Sequence, residues 1–210
     1  MEADEVTALA GARTPLSQVQ IETGRQAWEA FTAPTPTALC AFAQKRHECL
    51  PYLGPALLRL LAEFPAPHSG LSLTEERILR QLAEGPAKVA KVFGAVHSMD
   101  EAQFLADLPF FLRLDGLAFA HEPLIEGLPF RTGDCGPLGF TPGDNGAAEA
   151  SYRAYAGAEI ALTKAGAAAL AGRFDHASEN QVERAIGGTR IAPGAMWRYD
   201  RATGALTAPN

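Results

Sequence analysis

The order of apolar and polar positions from Leu71 to Gly172 predicts three short helices followed by a strand. Apolar side chains recur at the spacing of one helix face in each of the three segments. They are Ile78, Leu79 and Leu82, then Val89, Val92, Phe93 and Val96, then Phe104, Leu105, Leu108, Phe111, Leu112 and Leu114. The run Glu159–Thr163 then alternates as a strand does. This order predicts a winged-helix-like domain over residues 71–172, a helix-turn-helix with an attached β-ribbon.

Local signals place the boundaries of these three helices. Thr74 is predicted to cap the first helix, and Ser98 with Glu101 reads as a capping box for the third. Pro109 either kinks the third helix or begins a new one. Gly116 with the following leucine resembles the turn that ends such a helix.

The flanking segments follow other patterns. Residues 1–66 predict a helical N-terminal region, with one helix near Ser17–Phe31 and a second that Thr37 caps. Residues 126–146 hold many glycines and prolines and predict a long loop inside the winged-helix-like domain. Residues 173–210 predict an arginine-rich extension ending in a β-hairpin. The expected fold class is α+β, mainly α.

Composition and charge narrow the function classes. Among 210 residues, 47% are hydrophobic and 20% charged, which is typical of a globular protein. No apolar run reaches the roughly 20 residues that span a bilayer, so no membrane partner is expected. Three cysteines at irregular spacing, and acids where a signal peptide needs positive charge, favour a cytoplasmic protein. The net charge is −6, and residues 71–172 hold 13 acids against 8 bases, which disfavours DNA binding.

The C-terminal extension is the only segment with more bases than acids, and it carries the candidate anion- or partner-binding residues. The run Gly187–Arg190 could present backbone N–H groups and a guanidinium to an anion. Arginine and aromatic side chains nearby are the residue types that interfaces use. The candidates are Asn180, Arg184, Gly187, Gly188, Arg190, Trp197 and Arg198. The alternative interpretation is a turn and an edge hairpin whose tryptophan packs on the core.

The third predicted helix is too apolar to face phosphates. Phe110, Phe111 and Arg113 are therefore its candidate interaction residues, and we expect this helix and the 126–146 loop to contact a protein partner. A groove-reading helix needs exposed cationic or amide side chains, and this one carries mostly acids beside its leucines.

Metal binding and catalysis are not expected. Cys40, His47 and Cys49 lack zinc-site spacing. The run Asp175–Ser178 contains the residue types of a catalytic triad, but neighbours in sequence rarely adopt triad geometry. No cofactor motif is present, so no cofactor is expected.

Four segments carry a family resemblance: LSLTEERILRQLAEGP, FLADLPFFLRLDGLA, IALTKAGAAALAGR and GGTRIAPGAMWRYD. From about Leu16 to Asp200 the chain resembles the C-terminal half of an uncharacterised bacterial family, the domain of unknown function 1835 family. The resemblance implies a further N-terminal domain in relatives, which this sequence does not show. It also implies an aromatic residue where this chain has Ala185. It supports the layout and implies no chemistry.

These observations favour a non-catalytic protein-interaction or regulatory module. Its partner would be another protein or the N-terminal domain that relatives carry. The first alternative is a winged-helix DNA-binding regulator, which would need Lys88, Lys91, Arg113, Arg131 and Arg153 on one surface. The second alternative is an enzyme that holds an anionic substrate with the arginine-rich tail.

Overall fold

The computed structural model describes residues 14–102, 104–132 and 145–209. The chain divides into two compact units. The first comprises Met1–Leu58 with Gly187–Thr189, and the second comprises Arg59–Ile186 with Arg190–Asn210.

The first unit contains α1 (Gln18–Thr32), α2 (Thr37–Ala43) and the first part of α3 (Leu53–Leu61). Ser17 caps α1 through a capping box with Gln20. The prediction that Thr37 caps the second helix is wrong, because Pro36 is the N-cap: its carbonyl accepts the Cys40 N–H at 2.9 Å, and Thr37 is already the first helical residue. Leu39, Phe42 and neighbouring alanines form the buried positions of this unit.

The second unit has the predicted winged-helix-like order. It contains α4 (Leu73–Ala83), β1 (Ala87–Lys88), α5 (Val89–His97), α6 (Asp107–Ala118), β2 (Ile125–Glu126) and β3 (Glu159–Leu162). The three strands form an antiparallel sheet in the order β1–β3–β2. Helices together with small antiparallel sheets confirm an α+β, mainly α fold.

Most of the predicted 126–146 loop lies outside the described residues. A further helix, α7 (Asn145–Gly157), follows it and precedes β3. The helix after β3, α8 (Lys164–Leu170), begins where predicted because the Thr163 hydroxyl accepts the Gly166 N–H at 3.0 Å.

The C-terminal extension contains α9 (His176–Glu179) and two short hairpins. One pairs β4 (Arg184–Ile186) with β5 (Thr189–Ile191), and the sequence analysis did not predict it. The other pairs β6 (Arg198–Asp200) with β7 (Ala205–Thr207), and it confirms the predicted terminal hairpin.

Three predicted helix boundaries are wrong. Ser72, not Thr74, caps α4, because it forms a capping box with Glu75. Ser98 ends α5 instead of opening the next helix, and its hydroxyl donates to the Ala95 carbonyl at 2.8 Å. Helix α6 continues past Gly116 to Ala118.

The position of Pro109 settles the choice left open for the third helix. Pro109 lies in the first turn of α6, so it begins a new helix and does not kink an existing one.

The core of the second unit is built from the inner faces of α4, α5 and α6 together with α7, α8 and the sheet. Phe110 packs edge-on against Phe93, and Phe111 packs against Tyr155. The fully buried aliphatic side chains around these rings include Leu71, Ile78, Leu79, Val89, Leu114, Leu117, Leu124, Ile125 and Ile160. None of the described helices has both the length and the apolar character needed to cross a bilayer.

Candidate functional site

A cavity of about 460 Å³ lies beside α6 within the second unit. Helix α6, the chain after it, α9 and the segment leading to β4 form its walls. Its wall contains three arginines, a histidine, an asparagine, three carboxylates and several apolar side chains. The lining residues are Glu75, Leu112, Arg113, Asp115, Gly116, Phe119, Ala120, Arg131, His176, Asn180, Gln181, Val182, Glu183 and Arg184.

Arg184 and Glu75 form a buried two-point ion pair in this wall. The Arg184 Nη1 donates to Glu75 Oε1 at 2.7 Å and Nη2 to Oε2 at 3.2 Å. The Ser72 N–H also donates to Oε2, at 2.8 Å, so both carboxylate oxygens are occupied. Burial raises the pKa of the Glu75 carboxyl, but the Arg184 guanidinium outweighs it and holds that pKa well below its usual range. Glu75 is therefore a fixed anion.

His176 is a buried neutral imidazole whose proton position follows from its neighbours. Asn180 is oriented by the Glu122 backbone: its Oδ1 accepts the Glu122 N–H at 2.8 Å, and its Nδ2 donates to the Glu122 carbonyl at 3.0 Å. The same Nδ2 lies 2.9 Å from His176 Nδ1, which must accept. The proton consequently lies on Nε2, which is 3.9 Å from Glu75 Oε1. Burial lowers the pKa of His176 and keeps the ring neutral.

Arg113 is the least satisfied cation of the cavity wall. Its nearest acid is Glu63, whose Oε2 lies 3.6 Å from the Arg113 Nε, beyond hydrogen-bond distance. Within the described ranges the Arg113 side chain donates no hydrogen bond, and the facing Glu63 Oε2 is likewise a buried oxygen without a hydrogen-bond partner. Burial lowers the pKa of its guanidinium, and the positive charge of Arg184 adds to that effect.

Behind the cavity, Arg113 joins a buried network of charged side chains. Glu63 accepts from Arg59 at 2.7 Å and from the Thr74 hydroxyl at 2.6 Å. Asp100 accepts from Arg59 at 3.0 Å and from Arg77 at 2.7 Å. With Arg113, Arg184 and Glu75 included, four guanidinium groups face three carboxylates in the part of the chain that is described.

Asp115, an acid of α6 that lines the cavity, accepts a hydrogen bond at each of its two carboxylate oxygens. Its Oδ1 accepts the Tyr155 hydroxyl at 2.7 Å, and its Oδ2 accepts the Thr132 N–H at 2.7 Å. This carboxylate therefore links α6 to α7 and to the chain after β2.

Three of the candidate residues predicted from sequence line this cavity. They are Asn180, Arg184 and Arg113. The first two come from the arginine-rich extension and the third from α6, so the fold brings together candidates that the sequence analysis assigned to two different surfaces.

Gly187 and Gly188 lie elsewhere, at the turn between β4 and β5, and belong to the first unit. Gly188 donates its N–H to the Phe31 carbonyl at 2.8 Å, so it does not present that group to an anion. A Cβ at Gly188 would lie 2.1 Å from the Thr32 carbonyl oxygen, and one at Gly187 would lie 2.3 Å from the Phe31 carbonyl oxygen. The two glycines are explained by this close packing, and the anion cradle expected there is not formed.

The remaining candidates of the extension have local structural contacts. Arg190 is exposed and pairs with Glu183 at 3.1 Å. Arg198 donates to the carbonyls of Ala66 and Pro67 and to the Asp175 carboxylate, which fixes the terminal hairpin. Trp197 is half-buried.

Phe110 and Phe111 are 1% and 2% exposed, so neither ring is available to a partner at the surface. Helical geometry turns them into the core, while Leu108 and Leu112 of the same helix are 37% and 53% exposed. The sequence predicted both phenylalanines to lie on an interaction surface, because apolar residue type alone does not show which face of the helix points into the core. The burial of both rings corrects that assignment.

The run Asp175–Ser178 at α9 contains the residue types of a catalytic triad, but these side chains do not adopt the geometry of one. Asp175 caps α9 by accepting the Ser178 N–H, and its carboxylate also binds the Ser178 hydroxyl at 3.0 Å. His176 points instead to Asn180 and Glu75. Among the described residues, no group of three or more His, Cys, Asp or Glu side chains could hold a metal ion.

Glu63, Glu75 and His176 are site residues that the sequence analysis missed. Glu75 stands in the first turn of a helix, where acids are common, so its residue type alone does not mark it as a site residue. Its partner lies 109 positions away, so no local spacing reveals the pair. A sequence signal did exist for His176, since it stands four residues before Asn180, one helical turn away.

Comparison of the chain with protein-family models, with curated proteins and with solved structures finds no match. The resemblance to the domain of unknown function 1835 family therefore stays a prediction.

Proposed function

We propose that the chain is a non-catalytic interaction module in which the outward face of α6 binds a short segment of a protein partner. The observation that carries the proposal is the exposure of Leu108 and Leu112, at 37% and 53%, on one face of the helix. Residues four positions apart are neighbours on a helix surface, so the two side chains form one apolar strip. Exposed leucines in pairs are what a partner helix or strand can cover.

The same helix argues against DNA. In DNA-binding winged helices the third helix enters the major groove and presents cations and amides to bases and phosphates. Arg113 is the single basic residue of α6, and its side chain, 23% exposed, lies beside Glu63. Asp107 and Asp115 make the helix net negative. Such a helix is poorly suited to a polyanion.

The cations named for the DNA alternative are also partly engaged. Arg153 pairs with Glu149, and Arg131 donates to the Phe119 carbonyl at 2.8 Å. Lys88 and Lys91 are exposed at the start of α5. A mobility-shift assay on random-sequence duplex DNA at about 50 mM salt should show no complex, since phosphate contacts are strongest at low salt. A complex whose affinity falls steeply with added salt would favour the DNA alternative.

The cavity residues favour binding over catalysis. Both oxygens of Glu75 and both of Asp115 accept hydrogen bonds from this chain's own groups. His176 uses Nδ1 to accept from Asn180. These three groups are therefore held by contacts within the chain, and the Arg184 charge keeps Glu75 ionised, which does not suit a general base.

The chemistry of the partner follows from what surrounds Leu112. This side chain belongs both to the apolar strip and to the cavity wall, next to the poorly satisfied Arg113. We therefore expect the partner segment to contain an aliphatic or aromatic side chain next to an acidic one. Complementary charge of this kind fixes the orientation of a bound segment.

Selection from a random peptide library against the full chain tests the proposal. Enriched peptides should share an acidic residue next to an apolar one. They should lose at least tenfold in affinity for Leu112→Glu and keep their affinity for Met99→Glu. Met99 is a matched control because it is 44% exposed in the same unit but lies outside α6. Failure to enrich any peptide, or enriched peptides indifferent to Leu112→Glu, would reject the proposal.

A further inference from the structure

We propose that the cavity beside α6 is a binding site for a carboxylate group attached to a short apolar chain, with Arg113 as its main donor. The inference deepens the proposed function and rests on it for the source of the carboxylate, which a partner segment would supply. The site itself is testable with small molecules that need no partner. Three observations support it: the balance of donors and acceptors, the balance of charge, and the apolar part of the wall.

The acceptors in the cavity wall are already used. Glu75 accepts from Arg184 and from the Ser72 backbone, and Asp115 accepts from Tyr155 and the Thr132 backbone. Glu183, the third acid, pairs with Arg190 at the surface. Each of these three carboxylates therefore already has a partner within the chain.

The donors are not used to the same extent. Arg113 donates no hydrogen bond to any residue that the structure describes, although only 23% of its side chain is exposed. The buried Nε of Arg184, a side chain with 8% exposure, has no hydrogen-bond partner among the described residues. The proton of His176 is on Nε2, which is 3.9 Å from its nearest acid. Buried donors without acceptors are rare, and a ligand that brings acceptor oxygens would satisfy them.

Charge points to the same class of ligand. Four guanidinium groups share three carboxylates in the network that includes Arg113, and His176 is neutral. Arg113 shares its nearest acid, Glu63, with Arg59, so a ligand anion would give the Arg113 guanidinium a partner of its own. A carboxylate carries one charge and two oxygens in the plane that a guanidinium can bind with two parallel hydrogen bonds.

The rest of the wall suits an apolar group next to the carboxylate. Leu112, Phe119 and Ala120 line the cavity alongside Arg113. The cavity volume of about 460 Å³ falls within the roughly 300–1,000 Å³ of small-molecule sites. A ligand with a chain of a few carbons would contact these side chains while its carboxylate reaches Arg113.

Titration of the full chain with hexanoate, followed by NMR of the histidine ring nitrogens, tests the site. Hexanoate should shift the His176 Nε2 signal saturably, with a dissociation constant on the order of millimolar for so small a ligand. Hexanamide has nearly the same shape without the charge and should bind at least tenfold more weakly. Acetate, which lacks the chain, should also bind at least tenfold more weakly. Equal shifts with hexanoate and hexanamide, or no saturable shift, would overturn the proposal.

Two variants and a control locate the site. Arg113→Gln should weaken hexanoate binding at least tenfold, whereas Arg80→Gln should not, since Arg80 is exposed and does not line the cavity. If Arg113→Gln fails to fold, Leu112→Glu provides the second test, because it adds a negative charge at an exposed position of the wall. Unchanged binding in Leu112→Glu would overturn the proposal.

The outcomes separate this inference from the proposed function. Hexanoate binding without any selected peptide would keep the site and reject the protein partner. Selected peptides without hexanoate binding would keep the partner and reject the site. Inorganic phosphate that binds more tightly than hexanoate would overturn the assignment to an apolar carboxylate.

Discussion

Arg184 binds Glu75 through both of its terminal nitrogens, and this pair joins two segments separated by 109 positions in the chain. Arg184 opens β4 in the C-terminal extension, and Glu75 lies in the first turn of α4. The pair therefore attaches the extension to the winged-helix-like part and forms one wall of the cavity. A segment predicted from sequence to be a separate extension is held to the domain by a buried contact.

Removal of the Glu75 charge should destabilise the fold strongly. Glu75→Gln leaves the buried Arg184 guanidinium without an anion, and breaking such a pair costs about 3–5 kcal/mol. The control Glu183→Gln removes the partner of Arg190 in an exposed pair, where the cost is below about 1 kcal/mol. Urea unfolding of both variants gives the two free energies, and similar small losses in both would contradict the structural role of the Glu75 pair.

Protonation of His176 should destabilise the fold as the pH falls. Its pKa is lowered in the folded chain, so the unfolded chain binds the proton more readily. The neutral ring makes its full contribution to stability above pH 6.5, the ordinary pKa of histidine. That contribution is lost as the pH falls through the lower pKa that His176 has in the folded chain. Glu75 and Asp175 favour the charged ring and Arg184 opposes it, but burial is the largest cause.

Unfolding free energies measured between pH 7 and pH 5 check this dependence. Wild type should lose stability over that interval, and His176→Gln should lose less. His121→Gln is the matched control, because the His121 side chain is 84% exposed, and it should follow wild type. A variant at His176 with the wild-type pH dependence would show that the ring does not titrate in this way.

Truncation of two neighbouring residues of α6 should change the stability of the fold by very different amounts. Phe111→Ala removes a ring with 2% exposure and should cost about 3–5 kcal/mol. Leu112→Ala shortens a side chain with 53% exposure and should change stability by less than about 0.5 kcal/mol. Thermal unfolding of both variants distinguishes them. Comparable losses would mean that the burial of the α6 faces is assigned incorrectly.

Gly188→Ala should destabilise the packing of the turn against α1. The added Cβ would meet the Thr32 carbonyl oxygen at 2.1 Å, and backbone atoms cannot move aside as a flexible side chain can. We expect a loss of at least about 2 kcal/mol. Gly24→Ala in α1 meets no atom within 4 Å and should stabilise by about 0.5–1 kcal/mol, as alanine does inside a helix. Urea unfolding of the two variants provides the measurement, and equal effects would contradict the close approach of the turn to α1.

The helices and strands with local signals were predictable from the sequence. The apolar spacing of α4 and α5 and the Thr163 cap of α8 are properties of residues within a few positions of each other. One of the errors arose where a long-range contact competes with a local signal. Ser98 resembled the start of a helix, but Asp100 binds Arg59 and Arg77, and the chain reaches Asp107 before the next helix begins.

The candidate site was predictable only in part. Asn180, Arg184 and Arg113 were identified by residue type, and the cavity contains all three. Their acidic and imidazole neighbours were not identified, because Glu63, Glu75 and His176 come close only through the tertiary fold. The inward direction of Phe110 and Phe111 also depends on the register of α6, which begins at Asp107 and not at the predicted capping box.

The central claim is that the outward face of α6 is a docking surface for protein. The most direct measurement is NMR of leucine methyl groups during titration with a peptide selected as described above. We predict that the methyl signals of Leu108 and Leu112 shift first and most, with smaller changes at the buried Leu114. Shifts confined to leucines outside α6, such as the exposed Leu16, with Leu108 and Leu112 unchanged, would contradict the claim.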